Sequence, residues 1–371
     1  MITVFVAGDI VPHNRTVNLF KQKRTDDLFR SIIPQINNGD IRIGNLEAPI
    51  INGSPSPIKK SGPNLHASIE TLEVLKEAGF NTLTLANNHF RDQGQHGVDC
   101  TIRYARDLEF DTVGGGKNIH DARKILYKKV REEIIAIINI CEHEFSIATD
   151  TYGGSNPLDL INLHEDIYSA KKHANYVLVI VHGGIEKYQL PTPRMKRTYR
   201  HFIDLGADAV VNHHQHCFSG YELYKGKPIF YGLGNFCFDR TNENETWFEG
   251  LAVRITFDNN ISYTIIPYTQ CYHEPCVSLC PESNYDDTIK NLNDIIQDDL
   301  LLEKSFHLFI EKRKNSLLLD LLPIHNKYLS ALIRRGIINI PYNEKDLIRI
   351  KNKISCESHH ENLMSMLSNI Y

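Results

Sequence analysis

With 371 residues, 42% hydrophobic and 23% charged, the chain has the length for two domains, or one large domain with an appendage, and an ordinary globular composition. A formal net charge of −4 argues against nucleic acid or an anionic membrane as partner, and no run approaches the roughly 18 apolar residues of a membrane span. Eight scattered cysteines suit a reducing compartment, and the first residues enter a strand without the basic and apolar regions of a secretory signal, so a cytoplasmic location is expected.

Residues 2–8 form an apolar, β-branched run that delivers Asp9 at its carboxyl tip. A helical pattern opens at Thr25, with Leu28, Ile32, Ile33 and Ile36 on one face. A second strand, 41–46, precedes Glu47, and residues 49–64, with four prolines, read as an exposed loop. A helix from Ser68 is stopped by Gly79 in the role of a left-handed C′ residue. The strand 82–86 then runs into Asn87-Asn88-His89. After a helix near 98–108, Gly114-Gly115-Gly116 lacks the Lys and Ser/Thr of a phosphate-binding loop and reads as a turn. Runs at 125–130 and 134–141 leave no room for a crossover helix and predict a hairpin, hence a mixed or second sheet. A helix at 164–174 leads to an apolar strand, 176–181, ending in His182. The helix 193–205 closes at Gly206, and the strand 209–211 runs into Asn212-His213-His214-Gln215-His216. Short strands follow at 219–224, 228–232, 249–257 and 261–267. From about 284 the pattern is helical only, so the expected division is 1–275 and 276–371, the helices covering a sheet edge or offering a surface for a homodimer or complex.

Five strand ends therefore carry ligand-type residues: Asp9; Asn45 with Glu47; Asn87-Asn88-His89; His182; and His213 to His216. Ligands of open α/β sheets bind outside the carboxyl ends of the strands, so these residues can meet at one edge. Carboxylate, amide and imidazole donors suit a divalent ion such as Mn, Fe or Zn. In an extended segment residues i and i+2 point the same way, which would aim His214 and His216 at one cluster. An imidazole one position after a ligand amide, His89, can protonate a leaving group.

In these blocks the chain resembles the CapA family of poly-γ-glutamate capsule synthesis proteins, within the calcineurin-like metallophosphatase superfamily. The likeness runs through most of 1–270: Gly8-Asp9, Asn45-Leu46-Glu47, Leu85 to His89 with Asp92 and Gly94, Val113 to Gly116, His182-x-Gly184 with Glu186, Pro191-Thr192-Pro193, His213-His214-x-His216, and Tyr231-x-Leu233-Gly234-Asn235-Phe236-x-Phe238-Asp239. The resemblance implies an α/β fold, a four-layer αββα sandwich of two mixed sheets with a helical C-terminal extension. It implies one or two divalent ions on Asp9, Glu47, Asn88, His182, His214 and His216, with His89 and Asp92 catalytic. Asn45, Glu186, Arg194 and His213 are the candidate substrate-binding residues.

The sequence departs from that pattern in three places. Val11 stands where the superfamily has a ligand His, leaving His13 or Glu186 as substitutes. Gly183 replaces the family's usual Trp, and Asn212 replaces a Gly. Cys271, Cys276 and Cys280 with His273 lack a CxxC pair and read as loop thiols rather than a zinc site. Three functions are consistent with these residues. One is a metal-dependent phosphoesterase acting on a phosphorylated small molecule or sugar-phosphate intermediate of capsule or surface-polymer synthesis. The others are amide or γ-glutamyl bond chemistry at the same metal edge, and a non-catalytic assembly component.

Overall fold

The computed structural model describes residues 1–241, 243–319, 326–338 and 342–355. Its strands are β1 (Ile2–Val11), β2 (Ile41–Leu46), β3 (Thr82–Thr84), β4 (Asp111–Val113), β5 (Gly115–Gly116), β6 (Leu126–Val130), β7 (Glu133–Cys141), β8 (Gly154–Ser155) and β9 (Tyr176–His182). They continue with β10 (Ala209–His213), β11 (Tyr221–Tyr224), β12 (Lys227–Phe230), β13 (Asn235–Phe238), β14 (Glu249–Phe257), β15 (Ser262–Gln270) and β16 (Val277–Leu279). Among the described residues, one sheet runs β16-β15-β14-β1-β2-β3-β4, with β13 also paired to β1, and the other runs β11-β12-β10-β9-β7-β6.

Both sheets are mixed. In the first, β13, β1, β2, β3 and β4 are parallel and β14 to β16 antiparallel. In the second, β12, β10, β9 and β7 are parallel, with β11 and β6 as antiparallel edges. The central strands are the apolar runs of the sequence because both of their faces are covered; β9 is buried from Val177 to His182. The pairing of β6 with β7 is the expected hairpin.

Helices Thr16–Lys21, Thr25–Phe29, Glu70–Ala78 and Gly94–Asp107 share one core with the first sheet, through Phe20, Phe29, Leu75, Val98 and Phe236. Helices Leu160–His173 and Pro193–Leu205 pack on the second sheet. The inner faces meet at Tyr176 on Phe257 and at Tyr263 against Tyr221 and Phe230. The result is the α/β four-layer αββα sandwich with C-terminal helices that the resemblance implies.

Several sequence expectations shift. β3 ends at Thr84 rather than Ala86, because Asn139 of β7 accepts the amides of Leu85 (3.1 Å) and Ala86 (2.8 Å) on its Oδ1 and draws the chain toward the second sheet. The glycine triplet is not merely a turn, since Gly115–Gly116 pairs with Gly154–Ser155. The first compact unit runs to Glu303 rather than 275, and the second is Lys304–Tyr371. β16 adds a strand to the first sheet, and the Gly220 position and the Tyr221 amide meet Asn293 of the helix Asp286–Gln297, so the chain beyond 275 completes the first unit. Among the described residues no helix is long and apolar enough to cross a membrane.

Candidate metal centre

Strand register assembles the site. Asp9 of β1 lies beside Asn45 of β2, and Asn45 beside Thr84 of β3; in the second sheet His182 of β9 lies beside His213 of β10. Both sheets end their parallel strands at one junction. There, Glu47, His182 and His214 bring a donor atom each within 4.8 Å of one another, and so do Asp9, Glu47 and His216. The two triads share Glu47. Asn88 joins them with its Oδ1 3.0 Å from His182 Nε2.

The donors are buried and held from behind. Asn45 donates to Asp9 Oδ1 at 2.6 Å, and the His214 amide donates to Asp9 Oδ2 at 3.1 Å. Asn235 Oδ1 lies 2.8 Å from His216 Nδ1 and sets that ring. Both Glu47 oxygens are buried without a hydrogen-bond partner, an arrangement that is unfavourable for an isolated carboxylate and natural for a cation ligand. Burial, and then Asp9 and Glu186, push the Glu47 carboxyl well above its usual range. Burial, and then His214, hold His182 well below the ordinary imidazole value, so it is neutral and free to coordinate. The donor set therefore fits one or two divalent cations.

His214 and His216 reach the cluster differently from the sequence expectation. β10 ends at His213, and His214 (φ 90°) and His216 (φ 55°) occupy the left-handed region, so a kinked loop rather than an extended strand aims them. Such backbone persists only where its surroundings over-determine it. Asn212 supplies part of that: its Nδ2 donates to the carbonyls of Gly183 (2.9 Å), His213 (2.8 Å) and Tyr231 (3.0 Å).

Beside the metal donors, His89 Nδ1 lies 2.6 Å from Asp92 Oδ2. That oxygen also accepts the Leu65 amide at 2.6 Å. Lys60, in the proline-rich loop, bonds the other Asp92 oxygen and approaches His89 Nδ1 at 3.1 Å. Its side chain is 2% exposed, so the loop is only partly the exposed segment expected.

The remaining candidates divide. Asn45 is inside the cluster as a support for Asp9, with its Nδ2 3.3 Å from His182 Nδ1. Glu186 acts on both Glu47 and His216 through its charge. Arg194 is on the rim, paired with Glu142. His213, the register partner of His182, is held by the first sheet instead, its Nε2 2.9 Å from the Ala7 carbonyl of β1, and it belongs to neither donor triad. Val11 is buried, and His13, whose Nδ1 is 2.7 Å from the Asp239 carbonyl, joins neither donor triad. Sequence reasoning missed Lys60, Glu144 and Trp247. Glu144 accepts from Asn88 at 3.3 Å and lies 3.7 Å from His214; its place three residues past the β7 tip was the available signal.

Comparison with known proteins adds the relatives. The chain is 34% identical over 247 residues to the capsule biosynthesis protein CapA of Bacillus anthracis, covering 64% of this chain and 60% of that protein. It is 33% identical over 244 residues to the PGA biosynthesis protein CapA of Bacillus subtilis (strain 168), covering 65% and 64%. The matches thus span less than two thirds of those relatives' length. Among solved structures, a putative 5'-nucleotidase from Staphylococcus aureus aligns at 16% identity and a TM-score of 0.43, covering 79% of this chain and 58% of that one. The family model for bacterial capsule synthesis protein PGA_cap matches residues 3–240, the span that holds every donor of the two triads. The chain belongs to the PGA_cap family of bacterial capsule synthesis proteins.

Proposed function

We propose that the chain is a metal-dependent phosphoesterase acting on a phosphorylated small molecule or sugar-phosphate intermediate of surface-polymer synthesis. The observation that carries this reading is the pair of donor triads joined by Glu47, with an imidazole–carboxylate pair, His89 and Asp92, beside them. Two divalent ions (Mn, Fe or Zn) would supply Lewis acidity to the phosphoryl oxygens and an activated water. Asp9, Glu47, Asn88, His182, His214 and His216 would hold them.

The chain's own groups do the rest. Asp92, fixed by the Leu65 amide and Lys60, holds His89 through Nδ1 and leaves Nε2 as the nitrogen that gives its proton to the departing oxygen. Asn45 keeps Asp9 in place, and the names of the CapA relatives are the basis for assigning the pathway. Full-length protein with Mn²⁺ should hydrolyse p-nitrophenyl phosphate and lose that activity on chelation. Turnover of γ-glutamyl amides with none of phosphate esters would transfer the site to amide chemistry. Protein that takes up no transition metal on dialysis would be a non-catalytic assembly component.

A further inference from the structure

Two cations next to the metal edge share one carboxylate. Lys187 lies in the loop after His182, in the left-handed region (φ 62°), and its amide donates to the Gln215 carbonyl at 2.7 Å, between the ligand positions His214 and His216. Arg240 directly follows Asp239, past β13. Lys187 Nζ is 5.5 Å and Arg240 Cζ 5.1 Å from the Trp247 ring, and that ring is 4.9 Å from the ring of His216. Glu243 accepts from Lys187 at 2.5 Å and lies 3.6 Å from Arg240.

Lys171 and Lys227 also share one carboxylate, Asp208, but among the metal-edge cations the charge balance sets this cluster apart. Lys60, Arg15 and Arg194 each face a carboxylate of their own: Asp92, Asp239 and Glu142. Lys187 and Arg240 have one between them among the described residues. Glu243 is 9% exposed, whereas the two cations are 44% and 41% exposed, so their free faces look outward. Meanwhile Asp9, Glu47, Glu144 and Glu186 crowd the metal edge with negative charge. Bound divalent ions would offset those carboxylates and receive the first phosphoryl group, so a second anionic group of the substrate needs positive charge supplied by the protein beyond the ions.

We propose that Lys187 and Arg240 form an anion subsite for a second oxyanion, carboxylate or phosphate, on a substrate whose first phosphoryl group lies at the metal edge, with Glu243 the internal anion it displaces. The identity of that first group rests on the phosphoesterase reading. The subsite would make the enzyme selective for bis-anionic substrates.

Trp247 is the chain's one tryptophan, so its fluorescence reports on the cations above it without any turnover. Full-length protein with Mn²⁺ is titrated with phenylphosphonate, 4-carboxyphenylphosphonate and 1,4-phenylenebisphosphonate, none of which can be hydrolysed as an ester. At least one bis-anion should bind ten-fold or more tightly than phenylphosphonate, and the carboxylate and phosphonate arms tell which oxyanion fits. In K187M/R240M the preference should fall to about one. If that variant does not fold, E243Q decides, because removing the competing anion should strengthen the preference. Equal affinities in the wild type, or a preference unchanged in K187M/R240M or in E243Q, would overturn the subsite. A preference in a protein that hydrolyses no phosphoester would keep the subsite and reject the phosphoesterase reading; hydrolysis without preference would do the reverse. No saturable response to any phosphonate would reject both.

Discussion

Glu47 has a fully buried carboxyl group, and neither of its oxygens meets a donor. Its folded pKa is raised well above 4.5 by burial and then by Asp9. The stability this group contributes in metal-free protein is therefore complete below about pH 4.5 and is lost as pH rises through the folded value. His182 is shifted the other way, so its contribution is present above its ordinary pKa and lost as pH falls. Subtracting a variant isolates the Glu47 effect. In the presence of chelator, E47Q should become progressively more stable than wild type as pH rises above 4.5, by about 1.4 kcal/mol per pH unit across the titration window. The same variant should lose the rise in Tm that divalent metal gives the wild type. Equal pH profiles of the two metal-free proteins would reject the account. At His89 the expectation is kinetic: His89→Ala should lower kcat about 10²–10⁴-fold, beside a stability loss of about 1–3 kcal/mol from the broken bond to buried Asp92. The loss in kcat should be greatest for phosphate esters with poor leaving groups, which need the proton most. Unchanged turnover of an alkyl phosphate would remove His89 from the chemistry. Lys60→Met should show the same leaving-group dependence in weaker form, with Lys60→Arg restoring part of it, because Lys60 acts through Asp92.

Among the elements, β1 has the most demanding placement, since it pairs with β14, β2 and β13 and carries Asp9. The Asp9 amide donates to the Gly234 carbonyl at 3.2 Å, and a Cβ on Gly8 would come within 2.0 Å of that same oxygen. The obstacle is the backbone immediately before β13, which cannot swing aside as a side chain would. Gly8→Ala should lower the unfolding free energy by at least the ~1–3 kcal/mol of ordinary overpacking, seen as a lower Cm, and it should weaken metal uptake because Asp9 moves with the strand. A variant with native Cm and native metal content would contradict the close approach. The same element shows what the sequence could reveal. An unbroken apolar run ending in a carboxylate is local information, as are the runs ending at Glu47, Asn88 and His182. The tips of those strands, and the helix stops at Gly79 (φ 110°) and Gly206 (φ 121°), could be read directly. What could not be read depends on distant chain: Asn139 taking the Ala86 amide and sharing that of Leu85, which also donates to Val113, Asn212 pinning the kinked histidine loop, and Lys60 folding in from a proline-rich loop that resembles any solvated one. In each case a side-chain amide or amine meets a partner 19 or more residues away, and neither periodicity nor spacing records such a pairing.

At the scale of the whole molecule, the family match ends at residue 240, whereas the compact unit runs to Glu303. The difference is the material that closes the first sheet and caps the second. Tyr268 of β15 stacks edge-on against Phe236, Gln270 donates to the Trp247 carbonyl at 2.9 Å and accepts the Phe238 amide at 2.9 Å, and Lys196, buried on the helix Pro193–Leu205, reaches Asp299 at 2.6 Å. Gln270 and Trp247 thus support β13, whose Asn235 sets His216. Described residues after 240 in this sense support the candidate metal centre, although none of them belongs to either donor triad. Two truncations test that view. A fragment of residues 1–310, which keeps the whole first unit, should unfold cooperatively and retain the metal-dependent rise in Tm. A fragment of residues 1–240 contains all the proposed ligands yet exposes the edge of β1 that β14 covers, and such an unpaired edge invites aggregation. It should lose cooperative unfolding and the metal response together. Differential scanning calorimetry with and without Mn²⁺ distinguishes the cases: a metal-responsive 1–240 fragment would show that the proposed ligands alone organise the site, and a metal-insensitive 1–310 fragment would show that residues 311–371 are required for it.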